Sequence, residues 1–296
     1  VKMAVDDGRV EHEHWRGAIA LKLVLHPDEV TTVPPPDPLF VLAPRLGYLP
    51  QVSQQALEQF GGALPPGANE PWFEYRGVPL KWHLPTGALY DLLSDGEYPW
   101  KLTIHFRAYP RDVLQPVRGS VEETLQATYL NSLKEAAYVL TGNSNAVMSL
   151  SKKSQQELLQ NVLDAQQVEF HQNMQKMDLT KPLKARVPVR IYAREKVFDS
   201  FTGWKSIDYA SKSLHIEGES SGDSQDHLSV KHVLRHSLAN VSDGDLESVK
   251  VVVAGVEIDL DSNLAEVYAY LKNADLWLYV TVILKPKRTS AAAGTG

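Results

Sequence analysis

Apolar and polar positions alternate along this chain in short runs, and one pattern of them occurs twice. Moving residues 72–107 along by 178 positions lays them without a gap on residues 250–285. Phe73 and Tyr75 fall on Val251 and Val253, Gly77 and Val78 on Gly255 and Val256, and Leu80 and Trp82 on Ile258 and Leu260. Leu89, Tyr90 and Leu93 fall on Val267, Tyr268 and Leu271, and in the last run Leu102, Ile104 and Phe106 fall on Val280, Val282 and Leu284. Apolarity of period two predicts strands with one buried face. Each copy therefore reads strand, turn, strand, helix, short loop, strand. Gly77 and Gly255 suit the tight hairpin turn, because glycine accepts positive φ without a Cβ clash.

What precedes each copy extends the pattern. Before the first come Ile19, Leu21, Leu23 and Leu25 in alternation, a second apolar run over 39–42, and a helix-like segment over 51–60. Trp15 is placed at the opening of the first strand. Before the second copy come Val187, Val189, Ile191 and Ala193, then a loop, then a helix-like run with Leu228, Val233, Leu234 and Leu238. Each half thus predicts strand-strand-helix-strand-strand-helix-strand, the order of a β-grasp domain such as ubiquitin.

Between residues 121 and 176 the period lengthens to about 3.6. Leu125, Tyr129, Leu133, Ala136 and Leu140 share one helical face, and Gly142-Asn143 ends that helix. A second helical run starts at Ser154, with Leu158, Leu159, Val162, Leu163 and Val168 as its apolar side. Ser154 and Glu157 have capping-box spacing. The predicted class is α+β: two ubiquitin-like β-grasp domains flanking a helix-rich one. Residues 1–110 form the first β-grasp domain with an N-terminal helix or tail, 111–184 the helical domain, 185–288 the second β-grasp domain, and 289–296 a disordered tail. Pro34-Pro35-Pro36-Asp37-Pro38 reads as a stiff loop, since proline cannot donate to a ladder. Residues 218–226 read as a mobile loop, and Met3 as the natural start.

Composition narrows the chemistry. At 296 residues the chain exceeds the usual single domain, and its 43% hydrophobic and 22% charged content is that of a globular protein. No run reaches the ~18 apolar residues of a membrane span and no secretory signal pattern stands at the start, so a cytoplasmic location is expected. Asn240-Val241-Ser242 is accordingly read as a chance sequon. A formal net charge of −6 argues against a nucleic-acid partner. With no cysteine, disulfides, thiolate metal sites and thioester-carrying active sites are excluded.

His12 and His14, expected on one face of a strand, and His232 and His236, four apart on a helix, have ligand spacing. The sequence offers neither pair a third ligand, and no metal or cofactor is expected. No Gly-x-Ser-x-Gly elbow is present, Ser220-Ser221 lie in a loop, and no glycine loop for phosphate is found. The carboxylates are scattered, so the chain is expected to be non-catalytic. Lys134 lies about 140° from the centre of the 121–140 apolar stripe, which predicts a solvent-facing amine with Leu130 and Tyr138 four residues to either side.

Several segments carry a resemblance: Trp72-Phe73-Glu74-Tyr75, Pro79-Leu80-Lys81-Trp82, Pro85-Thr86-Gly87, the run 99–107 (PWKLTIHFR), and Asn131-Ser132-Leu133-Lys134-Glu135-Ala136-Ala137. Together with the run 41–50 (VLAPRLGYLP), they resemble the autophagy protein five family, its plant-type members in particular. The resemblance is strong over the first domain and the helical module, and weaker over the third through Ile191-Tyr192 and Gly255-Val256-Glu257. It implies the same arrangement of two ubiquitin-like domains around a helical one.

The resemblance further implies a function. A lysine in the family's Leu-Lys-Glu-Ala motif accepts the C-terminal glycine of the ubiquitin-like autophagy protein twelve in an isopeptide bond, and by motif that residue is Lys134. An ordinary lysine is neutral about once in two thousand at pH 7, so the conjugating enzyme must supply most of the activation. A second partner is the coiled-coil autophagy protein sixteen, whose helix docks in a groove formed by the domains; Tyr48, Trp72 and Trp82 are candidate groove residues. The complex would act like a ligase, promoting lipidation of the autophagy modifier on the phagophore, or isolation membrane. Two departures from the family stand out: a short connection over 178–184 and a modest loop near Gly218. Peripheral membrane contact is expected through Lys285, Lys287, Arg288, Lys152 and Lys153. The rival readings are a ubiquitin-like modifier ending Gly294-Thr295-Gly296, another β-grasp interaction module, and a metal-dependent enzyme.

Overall fold

The computed structural model describes residues 7–67, 70–177, 186–195, 203–215, 228–238, 246 and 249–284. The sequence readings on the 178–184 connection, the 218–226 loop, Ser220-Ser221, Asn240-Val241-Ser242, the basic run 285–288 and the tail lie outside the described residues.

Two five-stranded mixed sheets share one topology. The first contains β1 (Ala18–Leu25), β2 (Leu39–Pro44), β3 (Trp72–Tyr75), β4 (Val78–Pro79) and β5 (Trp100–His105), in the order β2-β1-β5-β3-β4. The second contains β6 (Arg186–Glu195), β7 (Asp208–His215), β8 (Lys250–Val253), β9 (Val256–Glu257) and β10 (Leu278–Leu284), in the order β7-β6-β10-β8-β9. In each, the first and last strands run parallel at the centre and all other pairs are antiparallel. This is the β-grasp arrangement.

The internal repeat is conformational as well as compositional. The 178-residue shift carries β3 onto β8, β4 onto β9, and α3 (Thr86–Leu93) onto α9 (Leu264–Leu271). Both hairpins turn on two left-handed residues, Arg76 and Gly77 at φ 49° and 83°, Ala254 and Gly255 at 52° and 82°, the turn whose twist suits antiparallel strands. Leu80 and Trp82, read as strand residues, lie past the end of β4. Leu80 still donates to Phe73 O (2.8 Å), as Ile258 does to Val251 O (2.9 Å), but the chain then turns and buries Leu80 and Trp82 beneath the sheet. Tyr90 and Tyr268 in turn donate to carbonyls of the loop that follows each helix, Glu97 O and Leu276 O.

The N-terminal helix runs on past the point where the first strand was expected to begin. Trp15 closes α1 (Asp7–Arg16) rather than opening β1, and its ring packs 4.8 Å from Phe170. His12 and His14 are consequently helical, two residues and about 200° apart around the axis and so on nearly opposite sides of the helix rather than on one strand face. The second strand of the second domain, β7, occupies a stretch read as loop. It is an edge strand, exposed over most of its length, so little apolarity marks it.

The helical part begins with α4 (Val121–Thr141), opened by a capping box between Ser120 and Glu123 and closed by Gly142 at φ 81°. Leu125, Tyr129, Leu133, Ala136 and Leu140 are all buried. The short α5 (Asn145–Met148) leads to α6 (Lys152–Leu163) and α7 (Gln167–Lys176). The cap of α6 is Ser151, whose Oγ accepts from Ser154 N at 3.1 Å, not Ser154 itself; Glu157 faces Lys153 instead. A left-handed Ala165 separates α6 from α7, and this break turns Val168 out to solvent, 64% exposed.

Helices α2 (Ser53–Phe60) and α8 (Val230–Ser237) hold the corresponding place in the two β-grasp domains. One hydrophobic core joins the first domain, the helical bundle and the near face of the second sheet, while a separate core lies between that sheet's far face and α8 and α9. Strand β10 is therefore buried on both faces: Leu278, Val280 and Val282 point into the second domain, Tyr279 and Thr281 toward the bundle. The expectation of one buried face holds for β5 at Lys101 and Thr103 but fails here, because α3 and α4 cover the second sheet. No helix among the described residues is long and apolar enough to cross a membrane.

Candidate functional site

Lys134 lies on α4, where the helix passes the second sheet, and is partly exposed. Of its apolar flanks, Leu130 is buried and Tyr138 is 64% exposed. Among the described residues Lys134 Nζ has neither a hydrogen-bond nor an ion-pair partner. The residues around it are heavily engaged. Ser132 Oγ donates to Asp275 Oδ2 (2.6 Å) and accepts from Arg190 Nη1 (3.0 Å), and Ser132 O accepts from Trp277 Nε1 (3.0 Å). Glu135 accepts from Arg190 Nη2 at 2.7 Å.

Asp275 anchors this cluster. It is fully buried, yet its carboxylate also takes Tyr279 OH, Asn273 Nδ2 and the Trp277 N–H, which is how a buried charge is tolerated. Arg190 lies 4.1 Å over the Trp277 ring and donates to Tyr279 OH. Burial, and then the Asp275 charge, push the Tyr279 and Tyr48 phenols well above their ordinary range.

Beside Glu135 a cavity of about 350 Å³ opens among all three parts of the chain, lined by Lys81, His83, Glu135, Arg190, Tyr192 and Trp204 among others. Lys81 lies 4.5 Å over Trp204, whose indole donates to Pro79 O. Burial pulls His83 down to about 4. Tyr48, Trp72 and Trp82 do not line it: they are 2%, 8% and 4% exposed. Trp72 donates to Arg107 O and stacks 3.7 Å from His105, and Trp82 donates to Tyr109 OH. Their aromaticity builds the core of the first domain. The cavity residues escaped sequence reading because they come from distant segments with no shared period; Trp204, an isolated tryptophan in a polar stretch, was the available signal.

The histidines are dispersed. His12 bonds Gln167 on α7, and His14 Nε2 bonds Lys272 O in the second domain at 3.1 Å. His232 and His236 stack one turn apart on α8 with ring centres 4.4 Å apart. Among the described residues no group of three or more His, Asp or Glu side chains could hold a metal ion. Lys152 and Lys153 stand exposed at the start of α6.

A helical bundle flanked by two β-grasp domains of ubiquitin topology defines a three-part ubiquitin-like-domain protein. Family models of the autophagy protein ATG5 match it piece by piece: the UblA domain over residues 14–106, the alpha-helical bundle region over 122–178 and the UblB domain over 186–282. The chain is similar to Autophagy protein 5 of Arabidopsis thaliana, 32% identical over 330 aligned positions that cover 93% of this chain and 97% of the relative. It is also 37% identical to Autophagy protein 5 of Oryza sativa subsp. indica over 256 positions, covering 75% of this chain and 66% of the rice protein, just under two thirds of its length. The crystal structure of Kluyveromyces marxianus Atg5 superposes with a TM-score of 0.74 at 21% identity, covering 93% of this chain and 99% of that one. The chain belongs to the autophagy protein 5 family.

Proposed function

We propose that this protein is a non-catalytic scaffold of autophagic conjugation whose acceptor is Lys134. Its three parts are taken as residues 1–110, 111–184 and 185–288. The observation that carries the reading is the state of Lys134: a partly exposed amine without a partner among the described residues, on a helix turn whose neighbours Ser132, Leu133 and Glu135 are all held. In the reaction the neutral Nζ attacks the carbonyl of a thioester joining the C-terminal glycine of autophagy protein twelve to its conjugating enzyme. The C–N bond forms as the C–S bond breaks, the thiolate leaves with the enzyme, and the amine proton passes to solvent or to a base on that enzyme. The chain needs no thiol and no cofactor for this.

The cavity among the three parts supports a second element of the proposal, docking of the helix of autophagy protein sixteen. Its mix of aromatic walls with Lys81 and Arg190 suits an amphipathic helix carrying an acidic residue. The resulting complex is proposed to stimulate lipidation of the autophagy modifier at the isolation membrane, to which an otherwise cytoplasmic protein is recruited, with peripheral contact through lysines such as Lys152 and Lys153. In a reconstitution with activating enzyme, conjugating enzyme and autophagy protein twelve, a covalent adduct is expected with the native chain and none with Lys134→Arg. An adduct that persists in the variant overturns the assignment.

A further inference from the structure

Resting on that reading of Lys134, we infer that Arg190 of the second β-grasp domain is a positioning residue for the conjugation step. Its guanidinium brackets the acceptor: one nitrogen donates to Ser132 Oγ, two residues before Lys134, and the other to Glu135 Oε2, the residue after it. The bracket is itself held. Nη1 also donates to Tyr279 OH, the ring of Trp277 lies beneath the guanidinium, and the Asp275 carboxylate stands 4.0 Å away. Trp277 adds a third bond to the same turn, through Ser132 O.

An apolar stripe alone fixes a helix loosely about its own axis, because hydrophobic contact is non-directional. Directional bonds on both sides of Lys134 remove that freedom and fix the angle at which the amine leaves the helix. They also engage the Glu135 carboxylate, so the negative charge next to the acceptor is neutralised by Arg190. Aminolysis of a thioester requires the amine within about 3–3.5 Å of the carbonyl carbon, and misplacement by about 1 Å can cost up to a hundredfold in rate. The repeat points the same way. At the positions of Trp277 and Tyr279 the first copy has Pro99 and the exposed Lys101, so the aromatic pair that seats Arg190 is particular to the sheet that meets α4.

The test is single-turnover transfer from a preformed thioester of the ubiquitin-like modifier on its conjugating enzyme, with the full chain at increasing concentration. Glu135→Ala alters a side chain 62% exposed and leaves the fold intact; Arg190→Ala, Arg190→Lys and Lys134→Arg complete the set. Glu135→Ala and Arg190→Ala are expected to lower the limiting rate constant about tenfold, with the half-saturating concentration and reaction amplitude unchanged. Arg190→Lys, which retains one charge-assisted bond, should recover part of the rate. The double variant should be no slower than Arg190→Ala, since Arg190→Ala already removes the bond that Glu135→Ala breaks. A merely structural role would instead lower the amplitude, through the folded fraction, at an unchanged rate constant. Native limiting rates in Glu135→Ala and Arg190→Ala, with Lys134→Arg inactive, overturn the positioning role alone. An active Lys134→Arg overturns the acceptor reading and the positioning role with it.

Discussion

Asp91, on the helix of the first repeat copy, accepts the backbone N–H of Gly255, in the hairpin turn of the second copy, at 2.8 Å. Arg45 pairs with the same carboxylate and lies directly under Gly255. The two copies are thus fastened to each other at a turn that in the first copy, at Gly77, has open space beside it. A further latch is made by a side chain of the second domain: the buried Arg194 of β6 donates to Leu92 O and Ser94 O at the C-terminal end of α3, the end of a helix where a cation is favoured.

The two turn glycines give a matched comparison. Their φ values are 83° and 82°, so alanine at either meets the same left-handed strain of about 1–2 kcal/mol. At Gly255 the new Cβ would also stand 2.9–3.1 Å from three guanidinium atoms of Arg45, and moving Arg45 breaks its pair with Asp91. Gly255→Ala should therefore destabilise by about 1–3 kcal/mol more than Gly77→Ala in urea unfolding. Equal losses would mean that Arg45 swings aside freely.

A reciprocal exchange tests the two-faced burial of β10. Tyr279 and Lys101 are equivalent in the repeat, but Tyr279 is 8% exposed and bonded to Asp275 while Lys101 is exposed. Lys101→Tyr should change stability by less than about 0.5 kcal/mol. Tyr279→Lys should cost about 4 kcal/mol or more, by placing an amine in the bundle interface. Differential scanning calorimetry of both variants reads the contrast.

The legibility of the sequence follows from where its regularities lie. Elements of the repeat were readable because Leu102, Ile104 and Phe106, like Val280, Val282 and Leu284, alternate against one core; α4 was readable because its stripe and Gly142 are local signals. Edge strand β7 was hidden by its polarity, and Trp15 misled because an aromatic residue at a helix end resembles the start of a strand. The chemistry around Lys134 was scarcely readable: Ser132, Arg190, Asp275, Trp277 and Tyr279 lie up to 147 positions apart and become neighbours only through the packing of α4 on the second sheet. Trp277 and Tyr279, aromatic where the first copy has Pro99 and Lys101, were the one trace of it.

Acid should weaken the fold through two histidines. Burial lowers His14 and His83 to about 4, from an ordinary value of 6.5. The unfolded chain therefore binds more protons than the folded one between these values, so their contribution is present above pH 6.5 and is lost as pH falls toward 4. Between pH 7 and 5 each should cost about 1–2 kcal/mol. Urea unfolding across this range should show a shallower pH dependence in His14→Gln and shallower still with His83→Gln added; an unchanged slope would assign the loss to other groups.

The buried Asp275 carboxylate ties α4 to the second sheet. Asp275→Ala strands Tyr279 OH, Asn273 and Ser132 Oγ and removes a countercharge from Arg190, a loss of about 3 kcal/mol or more. Hydrogen exchange should then increase at residues 129–136 of α4 and at β10 together, because one cluster holds both. Faster exchange in β10 alone would place the anchor of α4 elsewhere.

The acceptor itself is tested most directly by mapping the branch. After reconstituted conjugation with autophagy protein twelve, the adduct is digested with trypsin and the branched peptide sequenced by mass spectrometry. The modifier's C-terminal glycine is predicted on Nζ of Lys134, with the tryptic cut after that lysine lost. A branch on another lysine, such as exposed Lys152 or Lys153 at the start of α6, would contradict the account.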